Sequence, residues 1–152
     1  MSKAAELAAG QSFINPCAFL VIPASTQSNI AINTTTTVVF GTEIYDIGGN
    51  FASNTFTAPI TGKYQLNMHW QLNAIDTAAD LYQFQIVTSN KSYNLTIDPD
   101  GFDSDPAYFG ITNSVLADMD ASDTAIIKIH QTAGSAQTDI DVSTTFSGFR
   151  VS

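Results

Sequence analysis

Residues 63–73 alternate strictly between polar and apolar side chains, and this alternation limits the possible folds more than any other feature of the sequence. The apolar residues occupy the even positions: Tyr64, Leu66, Met68, Trp70 and Leu72. The odd positions are all polar: Lys63, Gln65, Asn67, His69, Gln71 and Asn73. A period of two residues turns successive side chains to opposite faces of a strand. The segment is therefore predicted to be a long antiparallel strand with one face in the core.

Shorter segments of the same kind recur along the chain and predict an all-β protein. Alternation or β-branched and aromatic content marks further strands at Ala18–Ile22, Thr37–Tyr45, Tyr82–Ile86, Ser92–Ile97, Tyr108–Leu116, Ala125–His130 and 139–146. Roughly eight or more short strands separated by turn signals predict an antiparallel β-sandwich with jelly-roll topology. Lys3–Ala9 is the one helical candidate. We expect an N-terminal arm over residues 1–17 and one jelly-roll domain over residues 18–152.

Charged residues are scarce, and their balance bears on the class of partner. Only 12% of the 152 residues are charged, and the formal net charge is −9. An acidic chain repels phosphate backbones, so nucleic acid is not expected as a partner. The acidic residues fall mainly in short clusters between the predicted strands, such as Asp76 with Asp80, and are expected to face water.

The cysteine content and the apolar runs bear on where the chain folds. Cys17 is the single cysteine, so no intrachain disulfide can form. No apolar run near the start has signal-peptide length, and Cys17–Pro23 is too short to span a bilayer. We expect folding in a reducing cytosol and no membrane partner.

Candidate catalytic groups are few and do not converge in the sequence pattern. His69 and His130 both fall on the polar faces of predicted strands, and Cys17 lies in an apolar run that favours a buried, inert thiol. We expect no enzymatic activity and no cofactor other than a possible calcium ion.

The loop over residues 98–105 is the candidate for calcium. It carries four carboxylates, Asp98, Asp100, Asp103 and Asp105, with Gly101 to allow a turn. Carboxylate oxygens are the ligands that Ca²⁺ prefers. The spacing departs from the EF-hand pattern and no Glu closes the site, so a solvated acidic loop is the favoured alternative.

The segment Leu7–Thr42 contains no charged residue and has two interpretations. Phe13, Ile14 and Phe19 are either ordinary core residues or contacts that an adhesive arm makes with a partner. Interface cores are depleted of charge and enriched in aromatic residues, which is compatible with the second interpretation.

Two motifs resemble a known family. The first is Phe56-Thr-Ala-Pro59-Ile-Thr-Gly62-Lys-Tyr64-Gln-Leu66, and the second is the ending Thr145-Phe146-Ser147-Gly148-Phe149. Both are similar to segments of the complement C1q family, within the tumour-necrosis-factor-like jelly rolls. In this interpretation Phe56 and Tyr64 pack into the core beside the turn at Pro59 and Gly62, and Phe146 and Phe149 close the same core. The resemblance implies a compact homotrimer.

A second resemblance concerns the residues Met1-Ser-Lys-Ala-Ala-Glu-Leu-Ala8, which are similar to the start of structural proteins of tailed bacteriophages. Together the two resemblances imply a trimeric capsid decoration (cement) protein. It would be made in the host bacterial cytoplasm, bind the major capsid protein on the capsid exterior and stabilise the shell. The alternative is the receptor-binding head of a phage tail fibre, which recognises a glycan or protein on the host surface. A weaker third interpretation is a recognition protein of the complement-like class.

Overall fold

The computed structural model describes residues 17–151, which contain β-strands and one short 3-10 turn at Pro99–Gly101. The strands, in chain order, are β1 (Ala18–Ile22), β2 (Thr35–Thr37), β3 (Thr42–Ile47), β4 (Phe51–Ala52), β5 (Thr55–Thr57), β6 (Gly62–Asn73), β7 (Ala79–Thr88), β8 (Ser92–Ile97), β9 (Tyr108–Met119), β10 (Thr124–Ala133), β11 (Asp139–Ile140) and β12 (Thr145–Arg150). The helical candidate Lys3–Ala9 lies outside the described residues.

Two antiparallel sheets form a sandwich, which confirms the predicted jelly-roll fold. In sheet 1 the strands run in the order β9-β6-β12-β1-β3, and β11 pairs with the end of β6. In sheet 2 the order is β4-β5-β10-β7-β8, and β2 pairs with β10. The strand β6 pairs with β9 along its whole length, from Gly62 opposite Met119 to Asn73 opposite Tyr108.

The alternation predicted for residues 63–73 is confirmed. Each of the five apolar side chains is at most 1% exposed: Tyr64, Leu66, Met68, Trp70 and Leu72. Tyr64 packs against Phe56 with 5.5 Å between the ring centroids, as the first motif predicted, and its hydroxyl donates to the Ile60 carbonyl at 2.6 Å. At the other end of the strand, the Trp70 indole donates to Asn113 Oδ1 at 2.9 Å. Burial of these rings fixes which face of β6 points outward.

The expected strand over Thr37–Tyr45 is wrong, because the chain leaves sheet 2 after β2 and joins sheet 1 at β3. The crossing segment forms two hydrogen bonds with sheet 2, one to β10 and one to the turn between β4 and β5. The Val38 N–H donates to the Ile127 carbonyl at 2.9 Å, and the Phe40 N–H donates to Asn54 Oδ1 at 2.7 Å. Both Val38 and Phe40 are buried, which is why an apolar run can also mark a crossing between sheets.

The expected strand over residues 139–146 is also interrupted, by a turn between β11 and β12. The Asp141 carboxylate accepts from the Ser143 N–H at 2.9 Å, and the Thr144 N–H donates to the Asp141 carbonyl at 3.0 Å. An aspartate that hydrogen-bonds two residues ahead builds a turn in place of a strand. Val142, expected to face inward, is consequently exposed.

Gly148 explains why the last strand presents one phenylalanine to the core and one to the outside. A Cβ at Gly148 would lie 2.8 Å from Phe19 Cε1 and 2.9 Å from Leu66 Cδ2, so the ring of Phe19 occupies the space of a side chain. Phe146 is buried as predicted. Phe149 was expected in the core, but it follows Gly148 by one residue, points to the opposite face and is 47% exposed.

Asp76 was expected to face water and is instead buried, with 1% of its surface exposed. Its carboxylate accepts from the backbone N–H groups of Ala78 at 2.9 Å, Ala136 at 2.6 Å and Ser135. Gly134 makes this approach possible: its φ is +99°, and a Cβ there would lie 2.5 Å from Asp76 Oδ2. Burial raises the pKa of Asp76, but the three N–H donors together outweigh it, so the pKa lies below its ordinary value. The carboxylate thus ties the start of β7 to the loop after β10.

We predict that Asp76→Asn destabilises the protein at neutral pH by about 3 kcal/mol, because an amide cannot accept all three buried N–H donors. The lowered pKa means that the charged carboxylate contributes stability above roughly pH 4, and this contribution is lost as the pH falls through the folded-state pKa. The loss of stability between pH 7 and pH 3 should therefore be smaller in the variant. Urea unfolding across this range measures both effects.

Asp103→Asn provides the matched control, because Asp103 is exposed. Its unfolding free energy should follow that of the wild type at each pH. Equal stability of Asp76→Asn and wild type at pH 7 would contradict the structural role of the buried carboxylate.

Candidate interaction face

The outer surface of sheet 1 carries a row of side chains that crosses all five of its long strands. The register places Leu116 opposite Gln65, Gln65 opposite Phe149, Phe149 opposite Ala18 and Ala18 opposite Ile47. We call these five residues the apolar row. Leu116, Phe149 and Ile47 are each about half exposed, at 55%, 47% and 49%. Four of the five members are apolar, in a position where a sheet that faces water usually carries polar side chains.

The next two rows of the same surface are neutral. One contains Ser114, Asn67, Ser147, Leu20 and Tyr45 in cross-strand register. The other contains Thr112, His69 and Thr145. We call the outer surface of sheet 1 over these three rows the neutral face. Its hydroxyl and amide groups can form hydrogen bonds without the cost of desolvating a charge.

Charged groups lie at the two ends of the neutral face. At one end, Lys63 Nζ lies 2.7 Å from Asp118 Oδ1. At the other end, Asp139 accepts from the Asn29 N–H at 2.7 Å, and Asp141 accepts from Asn73 Nδ2 at 3.1 Å. Each of these carboxylates already has an ionic or hydrogen-bond partner within the chain. The neutral face therefore lies between charged groups that are already paired.

Exposed large apolar side chains distinguish the two sheets. Six of them lie on strands within residues 17–151, and all belong to sheet 1: Ile44, Tyr45, Ile47, Tyr108, Leu116 and Phe149. The strands of sheet 2 contribute none to this set in the described part of the chain. Concentration of exposed apolar groups on one side of a domain is typical of an interaction surface.

The residues considered for catalysis do not form a catalytic site. His69 is exposed on the outer surface of sheet 1, whereas the imidazole of His130 in sheet 2 contacts the Thr35 hydroxyl at 3.1 Å. Burial, with a smaller contribution from the negative charge of Asp46, raises the pKa of the Cys17 thiol to about 11. The thiol is therefore protonated at neutral pH and is not an activated nucleophile.

Two of the four carboxylates considered as calcium ligands, Asp98 and Asp105, have separate roles in the structure. Asp98 caps the turn at Pro99–Gly101 by accepting from the Asp100 N–H at 3.0 Å. Asp105 accepts from the hydroxyl and N–H of Thr77, at 2.6 and 2.8 Å, and these bonds lower its pKa. Within residues 17–151, no group of three or more His, Cys, Asp or Glu side chains could hold a metal ion. The structure thus does not assemble Asp98, Asp100, Asp103 and Asp105 into a calcium site.

Of the three residues predicted to contact a partner, Phe13, Ile14 and Phe19, only Phe19 lies within the described part of the chain. Phe13 and Ile14 lie outside the described residues. Phe19 is 1% exposed, and its ring stacks on those of Phe51 and Phe56, with centroids 5.3 and 4.8 Å away. The prediction that Phe19 contacts a partner is corrected, because its side chain belongs to the core between the sheets.

The apolar row was not recognised in the sequence, although one signal for it was present. Counting by twos from Phe146 places Gly148 inward and Phe149 outward, and counting by twos from Tyr108 places Leu116 outward. The sequence alone therefore indicated which residues of each strand face outward. The alignment of Phe149 and Leu116 with Ile47 depends on the order of the strands in the sheet.

Comparison with known proteins gives a consistent result. A family model described as C1q domain matches residues 18–151. Among solved structures, the globular domain of zebrafish complement 1qA protein is similar, with a TM-score of 0.61, 17% identity and coverage of 90% of this chain and 98% of that chain. The crystal structure of murine APRIL at pH 8.0 gives a TM-score of 0.63, 13% identity and coverage of 90% and 99%. No curated protein is significantly similar in sequence.

These matches confirm the resemblance drawn from the two sequence motifs and bear on the class of function. Domains of the C1q and tumour-necrosis-factor type are typically binding or signalling modules rather than enzymes, and they commonly self-associate as trimers. In the described residues no helix is both long enough and apolar enough to cross a membrane.

Proposed function

The chain belongs to the C1q domain family, and on that premise we propose that it acts as a homotrimeric, non-catalytic binding head. The observation that carries the proposal is the neutral face of sheet 1, with its apolar row of Leu116, Gln65, Phe149, Ala18 and Ile47. We propose that this face packs against other copies of the chain.

The composition of the neutral face favours burial between subunits. Interface cores are depleted of charged residues and enriched in aromatic ones, and this face presents Phe149 and Tyr45 among neutral side chains. Removing the exposed apolar groups from water supplies the driving force. The neighbouring Ser, Thr and Asn side chains can form hydrogen bonds with the facing subunit.

Electrostatics supports the choice of this face over others. Each chain carries a formal net charge of −9, so three copies together carry −27. Association through a charged surface would bring like charges together, whereas the neutral face keeps its nearest carboxylates at its ends. The remaining charge stays in water and keeps the assembly soluble.

Phe149→Asp should convert the trimer to a monomer. The substitution places a carboxylate in the middle of the apolar row, where assembly would bury one charge per subunit without a partner. Because Phe149 is 47% exposed in the single chain, the variant should keep its fold, which far-UV circular dichroism measures, while its thermal unfolding midpoint falls because the stabilisation by association is lost. Light scattering coupled to size exclusion measures the mass of each form.

Thr96→Asp is the matched control on the other side of the sandwich. Thr96 is exposed on β8 of sheet 2, opposite Gln83. Its substitution by aspartate introduces the same charge away from the neutral face. This variant should remain trimeric. A monomeric wild type, or a trimer that survives Phe149→Asp unchanged, would contradict the proposed use of the neutral face.

For the biological role of the trimer, we propose capsid decoration: attachment to the major capsid protein on the exterior of a bacteriophage head, where bridging of neighbouring subunits stabilises the shell. The support is the similarity of residues 1–8 to the start of tailed-phage structural proteins and the uncharged stretch Leu7–Thr42, which suits attachment through neutral contacts. The head of a tail fibre is the alternative role.

Labelling of virions with an antibody to the chain tests this role. Decoration predicts dense labelling over the whole head and hundreds of copies per particle by mass. A few copies at the tail would favour the tail-fibre alternative, and virions without the chain would contradict both.

A further inference from the structure

We propose that Phe13 and Ile14 of one copy of the chain bind in a cleft of the neighbouring copy, so that exchanged N-terminal arms join the trimer in addition to its neutral faces. The inference rests on the proposed homotrimer and names a second contact within it. It follows from an incompletely covered side of the core and from the length of chain between Phe13 and the first strand.

The core is incompletely covered on the side of the sandwich where two edge strands, β8 of sheet 2 and β9 of sheet 1, lie next to each other. Residues of the inner strands that point between the sheets, such as Leu66, Phe84 and Ile127, are fully buried. The inward apolar residues of β8 and the first part of β9 pack against the same core but are only partly buried: Tyr93, Leu95, Ile97, Phe109, Ile111 and Val115. This side of the core therefore has room for further apolar contact.

A cleft of about 510 Å³ lies between these two edge strands. Tyr93 and Leu95 line it from β8, and Thr112 and Ser114 line it from β9. An apolar cavity of about 150 Å³ accommodates benzene, so this cleft has room for a phenyl ring. Among the described residues no carboxylate lines it, and the ammonium of its one charged side chain, Lys91, lies 5.4 Å from the centroid of the Tyr93 ring. The cleft suits an uncharged segment that carries an aromatic side chain.

Phe13 and Ile14 have the chemistry that this cleft requires. They belong to Leu7–Thr42, the stretch without charged residues. The aromatic residues of that stretch within the described part of the chain, Phe19 and Phe40, are both buried in the chain's own core. Phe13 is the remaining aromatic residue of the stretch, and it lies with Ile14 outside the described residues. The cleft supplies a partner surface for this pair.

The distance between Phe13 and the cleft of the same copy shows which copy supplies the arm. The apolar row places Ala18 and Leu116 three strands apart, or about 14 Å at roughly 4.8 Å per strand. The cleft reaches β9 at Ser114, about 7 Å farther along that strand, which makes the straight distance from Ala18 about 16 Å. Phe13 precedes Ala18 by five residues, which span at most about 17 Å when fully extended. The chain cannot also pass round the edge of β9, so the arm must come from a neighbour.

Arm exchange is compatible with a closed trimer. Each copy would donate one arm and receive one, so the contact joins two different surfaces of the chain, and head-to-tail contacts of this kind can close into rings. Thr112 and Ser114 line the cleft and also belong to two rows of the neutral face. A neighbour that packs on the neutral face therefore lies beside the cleft. The exposed, uncharged residues Ala24, Ser25 and Thr26 remain available for capsid contact.

Cross-linking of the full chain tests the exchange. The double variant Ser12→Cys with Asn94→Cys places one thiol beside Phe13 and one at the cleft, because Asn94 is exposed and lines it. A short bismaleimide should give covalent trimers on denaturing electrophoresis, and mass spectrometry after digestion should identify the link between positions 12 and 94. Cys17 is buried with a protonated thiol and does not compete.

Ser12→Cys with Thr57→Cys is the matched control, because Thr57 is exposed on β5 of sheet 2, away from the cleft. This variant should give no covalent trimer. A link between positions 12 and 94 found only within single chains would contradict exchange between copies. A trimeric sample without that link would overturn the inference and leave the proposed trimer standing.

Phe13→Asp tests the anchor without a cross-link. In sedimentation velocity over a series of concentrations, the variant should require at least about a tenfold higher concentration to assemble than the wild type, because a phenyl ring is no longer removed from water. Ala5→Asp adds the same charge outside the uncharged stretch and should assemble like the wild type. Assembly of Phe13→Asp at the wild-type concentration would overturn the inference, whereas a monomeric wild type would refute the proposed trimer and the inference with it.

Discussion

The inward packing of one face of β6 is the interaction on which the rest of this structure depends. This strand pairs with β9 on one side and with β12 and β11 on the other, so it holds together most of sheet 1. Its five buried side chains, Tyr64 to Leu72, fill the space between the sheets. The same packing forces the alternate residues outward, and these include Gln65 and His69. Core and interaction face are therefore two sides of a single strand.

The two ends of the sandwich are closed by different chemistry. At one end Phe19 packs against the rings of Phe51, Phe56 and Phe146, and the close approach of its ring leaves room only for glycine at position 148. At the other end the Asp76 carboxylate collects three N–H donors and holds the loop after β10. The aromatic contacts draw on the hydrophobic effect, whereas the carboxylate avoids the cost of leaving buried backbone donors unpaired.

The neutral face is the surface through which we propose that the chain self-associates. A surface with few charges can be covered by another copy at little electrostatic cost, and the acidic groups at its ends remain solvated. In its middle rows the neighbours of His69, Thr112 and Thr145, carry no charge. Self-association would thus follow from one property of this surface, the neutrality of the three rows that cross it.

The sequence by itself determined the all-β class, the parity of β6 and the family motifs, because alternation and turn residues are local properties. It also located Ala18–Ile22 and Ser92–Ile97 to the residue. Tertiary structure decided the crossing at Val38–Gly41, the burial of Asp76 and the outward position of Phe149. It alone aligned Phe149 with Ala18 and Ile47 in one row. The physical reason is that register is set by hydrogen bonding between strands far apart in the chain, which a local period cannot encode.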